Sequence, residues 1–259
     1  MRCSPVKPNC CPAPRHCSPH KPTLHPHDED ALIEALRDLI AQERELESAK
    51  VVLTNKPDFN LHDCFAIFDY CRHGHVTQAD LREGLAAIGV FPTADEIGLF
   101  FQRYDANKNH RLCFKEFSRA FVSDDTYYSH MLNRRPSNHR HHLHKRDDCF
   151  FPDTQVEHRN MWRTHFKVEA AAECVRQRLA SHPHFNVVQA FNSLDLNCDG
   201  KINSCEIQRI IESRGFYVTK KEADQVLAKF DERKTGEVVF HEFKGEIEPK
   251  SPLKHHHHY

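Results

Sequence analysis

The sequence lacks the features that mark membrane proteins, secreted proteins and enzymes. No apolar run in the 259 residues approaches the roughly 20 residues that a membrane-spanning helix needs. The first residues, Met1-Arg-Cys-Ser-Pro, contain no apolar core of a signal peptide. The chain also has no glycine-rich phosphate loop, nucleophile elbow or HExxH segment. We therefore expect a cytoplasmic protein with no membrane contact and no catalytic activity.

Excess charge of either sign is also missing. The 36 Lys and Arg residues nearly balance the 37 Asp and Glu residues, which leaves a formal net charge of −1. Such a balance provides no global field that would attract nucleic acid or an anionic membrane. No paired CxxC motif or aromatic-basic face supports a zinc-dependent nucleic-acid module. We therefore expect the partners to be proteins, and the sequence leaves the oligomeric state open.

The eleven cysteines are scattered and do not form a recognisable framework. Residues 1–27 lack any apolar period and are predicted to be a disordered or extended arm. Zinc is an alternative for that arm, with the candidate ligands Cys3, Cys10, Cys11, His16, Cys17 and His20. Cys71, Cys113, Cys198 and Cys205 are predicted to be reduced thiols, because a disulfide would be expected to distort the loops that contain them.

What the chain does contain is a twelve-residue loop rich in side-chain oxygen donors, which lies between two apolar helical segments. Over residues 195–206, oxygen donors stand at loop positions 1, 3, 5, 9 and 12, and glycine stands at position 6. The predicted ligands are Asp195, Asn197, Asp199, the backbone carbonyl of Lys201, Asn203 and Glu206. Ca²⁺ is a hard cation that takes about six to eight oxygens. Gly200 permits the left-handed turn between the halves of the loop.

This segment resembles an EF-hand of the calmodulin superfamily. The resemblance implies an intracellular calcium-binding protein in which helix–loop–helix units work in pairs. A second loop, residues 105–116, is predicted to bind Ca²⁺ more weakly because it has only two carboxylates. Its candidate ligands are Asp105, Asn107, Asn109, the backbone of Arg111, and Glu116. His110 replaces the turn glycine there and must adopt a positive φ.

Two further loops keep the frame of the motif but lose its ligands. In loop 69–80, Cys71 and His73 replace oxygen donors, and Asp80 is one carbon shorter than the usual glutamate. We expect that loop to be metal-free, and a transition metal at Cys71, His73 and His75 is the alternative. In loop 231–242, Arg233 occupies a ligand position and brings positive charge, so we expect no calcium there.

The loops belong to an internal repeat. Adding 126 to a position in the first half gives its equivalent in the second, so that Asp69 matches Asp195 and Asp105 matches Asp231. The predicted fold is all-α, with two EF-hand-pair lobes, each preceded by a long helix and joined by a long connector. Position 8 is apolar in all four loops (Val76, Leu112, Ile202 and Val238), which predicts short β-bridges between paired loops. The predicted segments are an arm (1–27), a helix (28–54), the N-terminal pair (58–125), a basic His-rich connector (126–153), a helix (154–181), the C-terminal pair (184–248) and a tail (249–259).

Several details of this organisation remain alternatives. The apolar stripe of the 28–54 helix packs either on the lobe that follows it or on a partner. The connector, which includes Arg134, Arg135 and the run 139–146, is a solvated loop or a basic contact strip. Thr93 and Glu96 are expected to cap the helix that precedes loop 105–116, and Thr154 and Glu157 are expected to cap the second long helix. His255–His258 is either a tag fragment or a native tail.

Methionine content separates two functional hypotheses. Promiscuous calcium sensors open a Met-rich groove, but the three methionines here, Met1, Met131 and Met161, lie outside both predicted lobes. We therefore favour a calcium-binding structural or adaptor protein that grips specific helices, including its own. A calcium-switched regulator of an enzyme or motor is the alternative. The overall pattern also resembles long-linker EF-hand proteins of ciliated protists, which implies a cytoskeletal or axonemal location.

Overall fold

The computed structural model describes residues 21–138 and 145–252, and these residues are mostly helical. The described chain contains eleven helices and four strands of two or three residues. The helices are α1 (Pro26–Thr54), α2 (Leu61–Phe68), α3 (Gln78–Ala87), α4 (Ala94–Tyr104), α5 (Phe114–Ser118), α6 (Thr126–Asn133), α7 (Pro152–Ser181), α8 (Val187–Leu194), α9 (Ser204–Ser213), α10 (Lys220–Phe230) and α11 (Phe240–Ile247). The predicted all-α class is confirmed.

Three predictions concern residues that lie outside the described ranges. They are the zinc site in the N-terminal arm, the 139–144 part of the basic run, and the histidines at 255–258. Within the described ranges, no helix has both the length and the apolar character needed to cross a membrane.

Short strands link the loops in pairs, as expected from the apolar residue at loop position 8. The strands are β1 (His75–Thr77), β2 (Arg111–Cys113), β3 (Lys201–Ile202) and β4 (Val238–Val239). In the antiparallel pair β1–β2, Val76 lies opposite Leu112. In β3–β4, Ile202 lies opposite Val238. Each bridge therefore joins two helix–loop–helix units into one pair, and the predicted bridges are confirmed.

The long helices start two residues earlier than the sequence suggested. Both begin with a proline, Pro26 in α1 and Pro152 in α7, and proline suits the first helical position because its missing N–H has no partner there. Thr154 is consequently inside α7 instead of capping it, and its hydroxyl donates to Asp58. The predicted cap at Thr93 is present: its side chain accepts from Glu96 N–H, and the Glu96 carboxylate accepts from Thr93 N–H.

The chain divides into two compact units whose boundaries fall inside both long helices. Unit 1 contains residues up to Ile40 and residues Arg178–Glu248, and unit 2 contains Ala41–Gln177 and the residues from Pro249 onward. The first part of α1 thus belongs with the C-terminal pair of helix–loop–helix units. Most of α7 belongs with the N-terminal pair. Of the two alternatives for the apolar stripe of this helix, packing on the lobe that follows it holds for the second part of α1, where Leu46 and Leu53 lie in the core of unit 2. It is wrong for the first part, which packs on the C-terminal pair.

In unit 1, the first part of α1 buries its apolar stripe against the C-terminal pair. Leu32, Ile33 and Leu36 are at most 2% exposed. Leu36 lines one small internal cavity together with residues from four other helices and both strands: Leu194, Ile202, Ile207, Leu227, Phe230, Val238 and Phe243. On the polar side, Arg214 forms ion pairs with Glu29 at 3.1 Å and with Asp30 at 2.7 Å.

In unit 2, α7 fills the equivalent place in the N-terminal pair with aromatic side chains. Trp162 is fully buried. Its ring centroid lies 5.0 Å from that of Phe68, 5.1 Å from that of Phe100 and 5.3 Å from that of Phe121. Aromatic rings at such distances contribute packing energy beyond the area that they bury. Trp162 is therefore the central side chain of this core.

Several described residues of the connector pack on unit 2, so the solvated-loop interpretation is wrong for them, whereas Arg134 is exposed. The guanidinium of Arg135 donates to the carbonyls of Lys56 at 2.6 Å and Phe59 at 3.0 Å. Cys149 and Phe150 are almost completely buried. Arg146 pairs with Glu83. Arg135 thus satisfies backbone carbonyls, and Cys149 and Phe150 extend the core. The basic composition of the connector does not indicate either role.

The start of the tail also belongs to unit 2. The backbone N–H groups of Lys250 and Ser251 donate to the Glu173 carboxylate at 3.0 to 3.1 Å. The Ser251 hydroxyl donates to the same group at 2.7 Å. Burial acts to raise the pKa of Glu173, but these hydrogen bonds and one from Gln177 outweigh it and lower the pKa. The tail is thus fixed to α7 by a charged acceptor.

Two buried histidines make unit 2 sensitive to acid. His158 accepts a hydrogen bond from Trp162 Nε1 at 3.0 Å, and burial lowers the pKa of His158 to about 3. Burial also lowers the pKa of His165 to about 3. Between about pH 3 and pH 6.5 the unfolded chain binds more protons at these histidines than the folded chain does. Their contribution to the free energy of unfolding is therefore fully present above the unfolded pKa of about 6.5 and is lost as the pH falls below it.

We predict that acidification from pH 7.5 to 5.5 lowers the free energy of unfolding of unit 2 by about 1.4 kcal/mol for each of these histidines. His158→Gln removes one titrating group and keeps an acceptor for Trp162, so it should reduce the pH dependence by about that amount. Urea unfolding followed by fluorescence of Trp162, the single tryptophan, measures this. His130→Gln, at an exposed histidine of unit 2, is the control. Equal pH dependence in the two variants would contradict the prediction.

Candidate metal centre

The loop at residues 195–206 starts where α8 ends. Asp195 is the C-cap of α8 and donates its N–H to the Phe191 carbonyl at 2.9 Å. Its side-chain Oδ1 accepts from Asp199 N–H and its Oδ2 from Gly200 N–H, each at 3.0 Å. Gly200 has a φ of 83°, in the left-handed region that glycine tolerates. The carboxylate is thereby held inside the loop.

Two more predicted ligands are fixed in the same way. Asn197 Oδ1 accepts from Asp199 N–H at 2.9 Å, and Asp199 Oδ1 accepts from Lys201 N–H at 2.9 Å. The Lys201 ammonium pairs with Glu237 of the adjacent loop, so its charge is engaged away from these oxygens. The backbone of the loop therefore brings the side-chain oxygens at positions 1, 3 and 5 together.

Glu206 completes the loop from the first turn of α9. Its Oε1 accepts from Asn197 N–H at 3.2 Å, and its Oε2 accepts from Asn203 N–H at 2.9 Å. Asn203 in turn caps α9 by accepting from Glu206 N–H at 3.1 Å. Glu206 is 4% exposed. The structure thus brings the predicted side-chain ligands into one loop, with both oxygens of Glu206 turned back toward its start.

The electrostatics of this loop favour a cation. Burial raises the pKa of Glu206, and the negative charges of Asp195 and Asp199 raise it further. A divalent ion among these groups would offset both the desolvation and the mutual repulsion. The donors are carboxylate, amide and carbonyl oxygens, which are the ligands that Ca²⁺ prefers. The residues present therefore fit calcium.

Sequence reasoning missed a lysine at this site. The Lys21 ammonium lies 3.0 Å from Asp195 Oδ2 and is 40% exposed. The segment around it is held by hydrogen bonds from Leu24 N–H to Ser193 Oγ at 3.0 Å and from Asn192 Nδ2 to the Pro22 carbonyl at 2.9 Å. No sequence motif indicates this contact, because Lys21 is 174 residues from Asp195 and lies in a segment predicted to be disordered or extended.

The prediction of reduced thiols is wrong for two of the four loop cysteines. Cys198 and Cys205 are disulfide-bonded, whereas Cys71 and Cys113 are free. Cys198 and Cys205 occupy loop positions 4 and 11, which are not ligand positions. The hydrogen bonds of Asp195 remain in place around them. Disulfide-bonded cysteines at these positions are thus compatible with the loop, contrary to the expectation of distortion.

Loop 105–116 has the same frame with fewer charges. Asp105 accepts from Asn109 N–H at 3.2 Å and from His110 N–H at 2.7 Å. As expected, His110 has a positive φ, 61°. The N–H of Arg111 donates to Asn109 Oδ1 at 2.8 Å.

Glu116 closes this second loop. It accepts from Asn107 Nδ2 at 3.1 Å and from Cys113 N–H at 3.0 Å. Burial acts to raise the pKa of Glu116, but hydrogen bonds from Cys113 and Asn107 outweigh it and lower the pKa. This glutamate is thus less crowded by negative charge than Glu206. Weaker calcium binding at Asp105, Asn107, Asn109, Arg111 and Glu116 stays a prediction.

Loop 231–242 contains a cation of its own. The Arg233 guanidinium donates through Nε to Glu242 Oε1 at 2.9 Å and through Nη2 to Oε2 at 3.2 Å. Burial acts to raise the pKa of Glu242, but the hydrogen bond from Arg233 outweighs it and the pKa is lowered. Both oxygens that would chelate calcium are therefore engaged by a bidentate ion pair.

In loop 69–80 the last carboxylate, that of Asp80, forms a helix cap. Asp69 keeps its frame by accepting from His73 N–H at 2.7 Å and Gly74 N–H at 2.8 Å. Asp80 accepts from the N–H and hydroxyl of Thr77 at 2.9 and 2.6 Å and so caps α3. The side chains of Cys71 and His73 are exposed. This loop is built like the others, and its metal-free state stays a prediction.

Comparison with known proteins agrees with this geometry. Residues 186–248 match the family model of the EF-hand domain pair. The "Probable calcium-binding protein CML30" of Oryza sativa subsp. japonica is 26% identical over 194 residues, which cover 73% of this chain and 72% of that protein. The "Probable calcium-binding protein CML16" of Arabidopsis thaliana is 36% identical over 64 residues, which cover 25% of this chain and 40% of that protein. The resemblance to proteins of ciliated protists stays a prediction.

We predict that Glu206→Gln lowers the calcium affinity of the 195–206 loop by at least about 10-fold, because a bidentate carboxylate becomes a neutral amide of the same shape. Isothermal titration of purified protein with Ca²⁺ measures the change. Glu212→Gln, at an exposed position of the same helix, is the matched control. An unchanged titration in Glu206→Gln would show that the site is assigned to the wrong residues.

We predict that Arg233→Asp adds one calcium site to the chain. The substitution removes the cation paired with Glu242 and supplies a carboxylate at loop position 3. Arg233→Leu is the control, because it removes the same cation without adding a ligand. The measurement is calcium stoichiometry by titration. If both variants bind the same number of ions as the unmodified chain, Arg233 is not what keeps calcium from this loop.

Proposed function

We propose that this chain, which contains an EF-hand domain pair and binds calcium, acts as a calcium-binding structural or adaptor protein. In this proposal, the lobes hold specific helices, and the first helices that they hold are segments of the same chain. Calcium at Asp195, Asn197, Asp199, Lys201, Asn203 and Glu206 sets the rigidity of the C-terminal pair. No catalytic role is proposed.

The observation that carries this proposal is the burial of α1 and α7 side chains in the apolar faces of the two pairs. Leu32, Ile33 and Leu36 are fully buried in unit 1, and Trp162 is fully buried in unit 2. Burying one such aliphatic side chain contributes roughly 2 kcal/mol. Three of them in unit 1 give an upper estimate of about 6 kcal/mol. An external helix would have to overcome this to enter the same groove.

The composition of the two faces supports the same function. Flexible methionines let sensors adapt to many target helices. The faces described here consist instead of Phe, Leu, Ile and Val, and Phe230 stacks on Phe243 with ring centroids 5.8 Å apart. Such branched and aromatic side chains have few rotamers and define one shape. This favours a fixed helix over a series of exchangeable targets.

Calcium has a defined structural role in this proposal. Without an ion, Glu206 and its neighbouring carboxylates are held together against their own repulsion. With an ion, the same oxygens bridge the end of α8 and the start of α9. Because Ile202 of this loop is in the core that contains Leu36, stabilising the loop also stabilises the groove around α1.

A cytoskeletal or axonemal location is the most specific part of the proposal, and it rests on the sequence resemblance alone. The alternative function is a calcium-switched regulator of an enzyme or motor. That function requires calcium to release α1 or α7 and expose apolar surface for a target. The two functions therefore differ in what calcium does to the exposed apolar area.

We predict that calcium changes the fluorescence of a dye that binds apolar surface by less than about 2-fold in the unmodified chain, since the grooves are already filled. Leu36→Gln should raise dye binding in calcium, because a polar amide in the core weakens the docking of α1. Glu34→Gln introduces the same side chain at an exposed position of α1 and is the control. A large calcium-dependent rise in the unmodified chain would favour the regulator instead.

A further inference from the structure

A second cluster of metal-ligating side chains lies in unit 1, at the start of α1. The Asp28 carboxylate Oδ1 is 3.6 Å from His182 Nδ1 and 3.9 Å from His27 Nδ1. One ligand atom from each of these three residues lies within 4.8 Å of the other two. The His27 and His182 rings have centroids 5.8 Å apart. Two imidazoles therefore converge on one carboxylate.

Each ligand is positioned by the local structure of its helix end. His27 and Asp28 are in the first turn of α1, and Asp28 N–H donates to the His25 carbonyl at 2.9 Å. His182 follows the last residue of α7 and donates its N–H to the Leu179 carbonyl at 3.1 Å. The three side chains thus project from ordered backbone.

The burial of the three groups suits a metal ion that keeps one coordination position open to water. The Asp28 side chain is 9% exposed, that of His182 is 25% exposed and that of His27 is 78% exposed. The carboxylate is on the protein side and the His27 imidazole is on the solvent side. A metal between them would have protein ligands on one side and room for water on the other.

The chemistry of this donor set differs from that of the calcium loop. Imidazole nitrogen suits Zn²⁺ and other transition metals, whereas Ca²⁺ takes oxygen ligands. Tetrahedral Zn²⁺ has ligand bonds of about 2.0 to 2.2 Å, which places its ligand atoms roughly 3.3 Å apart. The separations of 3.6 and 3.9 Å from Asp28 would have to shorten by about 0.3 to 0.6 Å to reach this value. The two imidazole nitrogens, which lie within 4.8 Å of each other, would also have to approach, and the exposed His27 side chain has room to move.

We propose that His27, Asp28 and His182 form a zinc-type transition-metal site, separate from the calcium loops. The metal would cross-link the first turn of α1 to the residue after α7 within unit 1. Because it joins residues more than 150 positions apart in sequence, it would stabilise the docked position of α1. This inference stands independently of the proposed adaptor function, since it concerns a different donor set.

The internal repeat provides a comparison within the chain. At the positions 126 residues away, Asp153 stands for His27, Thr154 for Asp28 and Lys56 for His182. Thr154 donates its hydroxyl to Asp58 there. A lysine and a threonine in place of an imidazole and a carboxylate cannot form the same ligand set. The repeat frame therefore does not require the His–Asp–His cluster, which is specific to unit 1.

The test uses the full chain saturated with Ca²⁺ and titrated with Co²⁺, whose tetrahedral complexes absorb visible light, and then with Zn²⁺. The chain has 22 histidines, so matched variants decide the result. We expect His182→Ala and His27→Ala each to weaken one site by at least about 10-fold and to lose its Co²⁺ absorption. His184→Ala, an exposed histidine two residues from His182, should behave like the unmodified chain.

Two controls verify that the variants are folded and that their calcium loop is unaffected. His27 is mostly exposed, so its replacement should leave the fold intact, and circular dichroism before titration verifies this. Calcium titration of the same samples should be unchanged, which separates this site from the 195–206 loop. If the Co²⁺ spectra and Zn²⁺ affinities of His27→Ala, His182→Ala and His184→Ala are the same, the proposal is overturned.

Discussion

The structure depends on how the apolar face of each helix–loop–helix pair is covered. A pair held by a two-stranded bridge has apolar residues on its helices that water would otherwise contact, and burying them is the main favourable term in folding. In unit 1 the cover is the first part of α1, through Leu32, Ile33 and Leu36. In unit 2 it is α7, through Trp162. The long helices are therefore parts of the two cores.

The chemistry of the loops depends on where positive charge comes from. In loop 231–242, Arg233 supplies it and pairs with both oxygens of Glu242. In loop 195–206, three carboxylates surround a space to which Lys21 contributes a single hydrogen bond from one side. The same loop geometry thus gives one loop whose glutamate is paired with an arginine and one loop suited to a calcium ion, because position 3 holds Arg233 in the first and the uncharged Asn197 in the second.

Much of the fold could be read from local patterns. The pairing of Val76 with Leu112 and of Ile202 with Val238 followed from the apolar residue at position 8 of every loop. The Thr93–Glu96 capping box and the positive φ of His110 followed from short motifs. The packing of α1 could not be read in this way, because an apolar stripe shows that a helix face is buried but not which surface covers it. The same limit hid Lys21, the disulfide-bonded state of Cys198 and Cys205, and the contacts of Arg135.

By itself, the sequence determined the helical class, the repeated loops and the set of oxygen side chains in loop 195–206, since these depend on residue types at fixed spacings along the backbone. Only the tertiary structure decided which pair each long helix completes and which distant side chains meet. Lys21 reaches Asp195, and His182 reaches Asp28, across more than 150 residues of chain. Such contacts arise from the packing of whole helices, and no local periodicity encodes them.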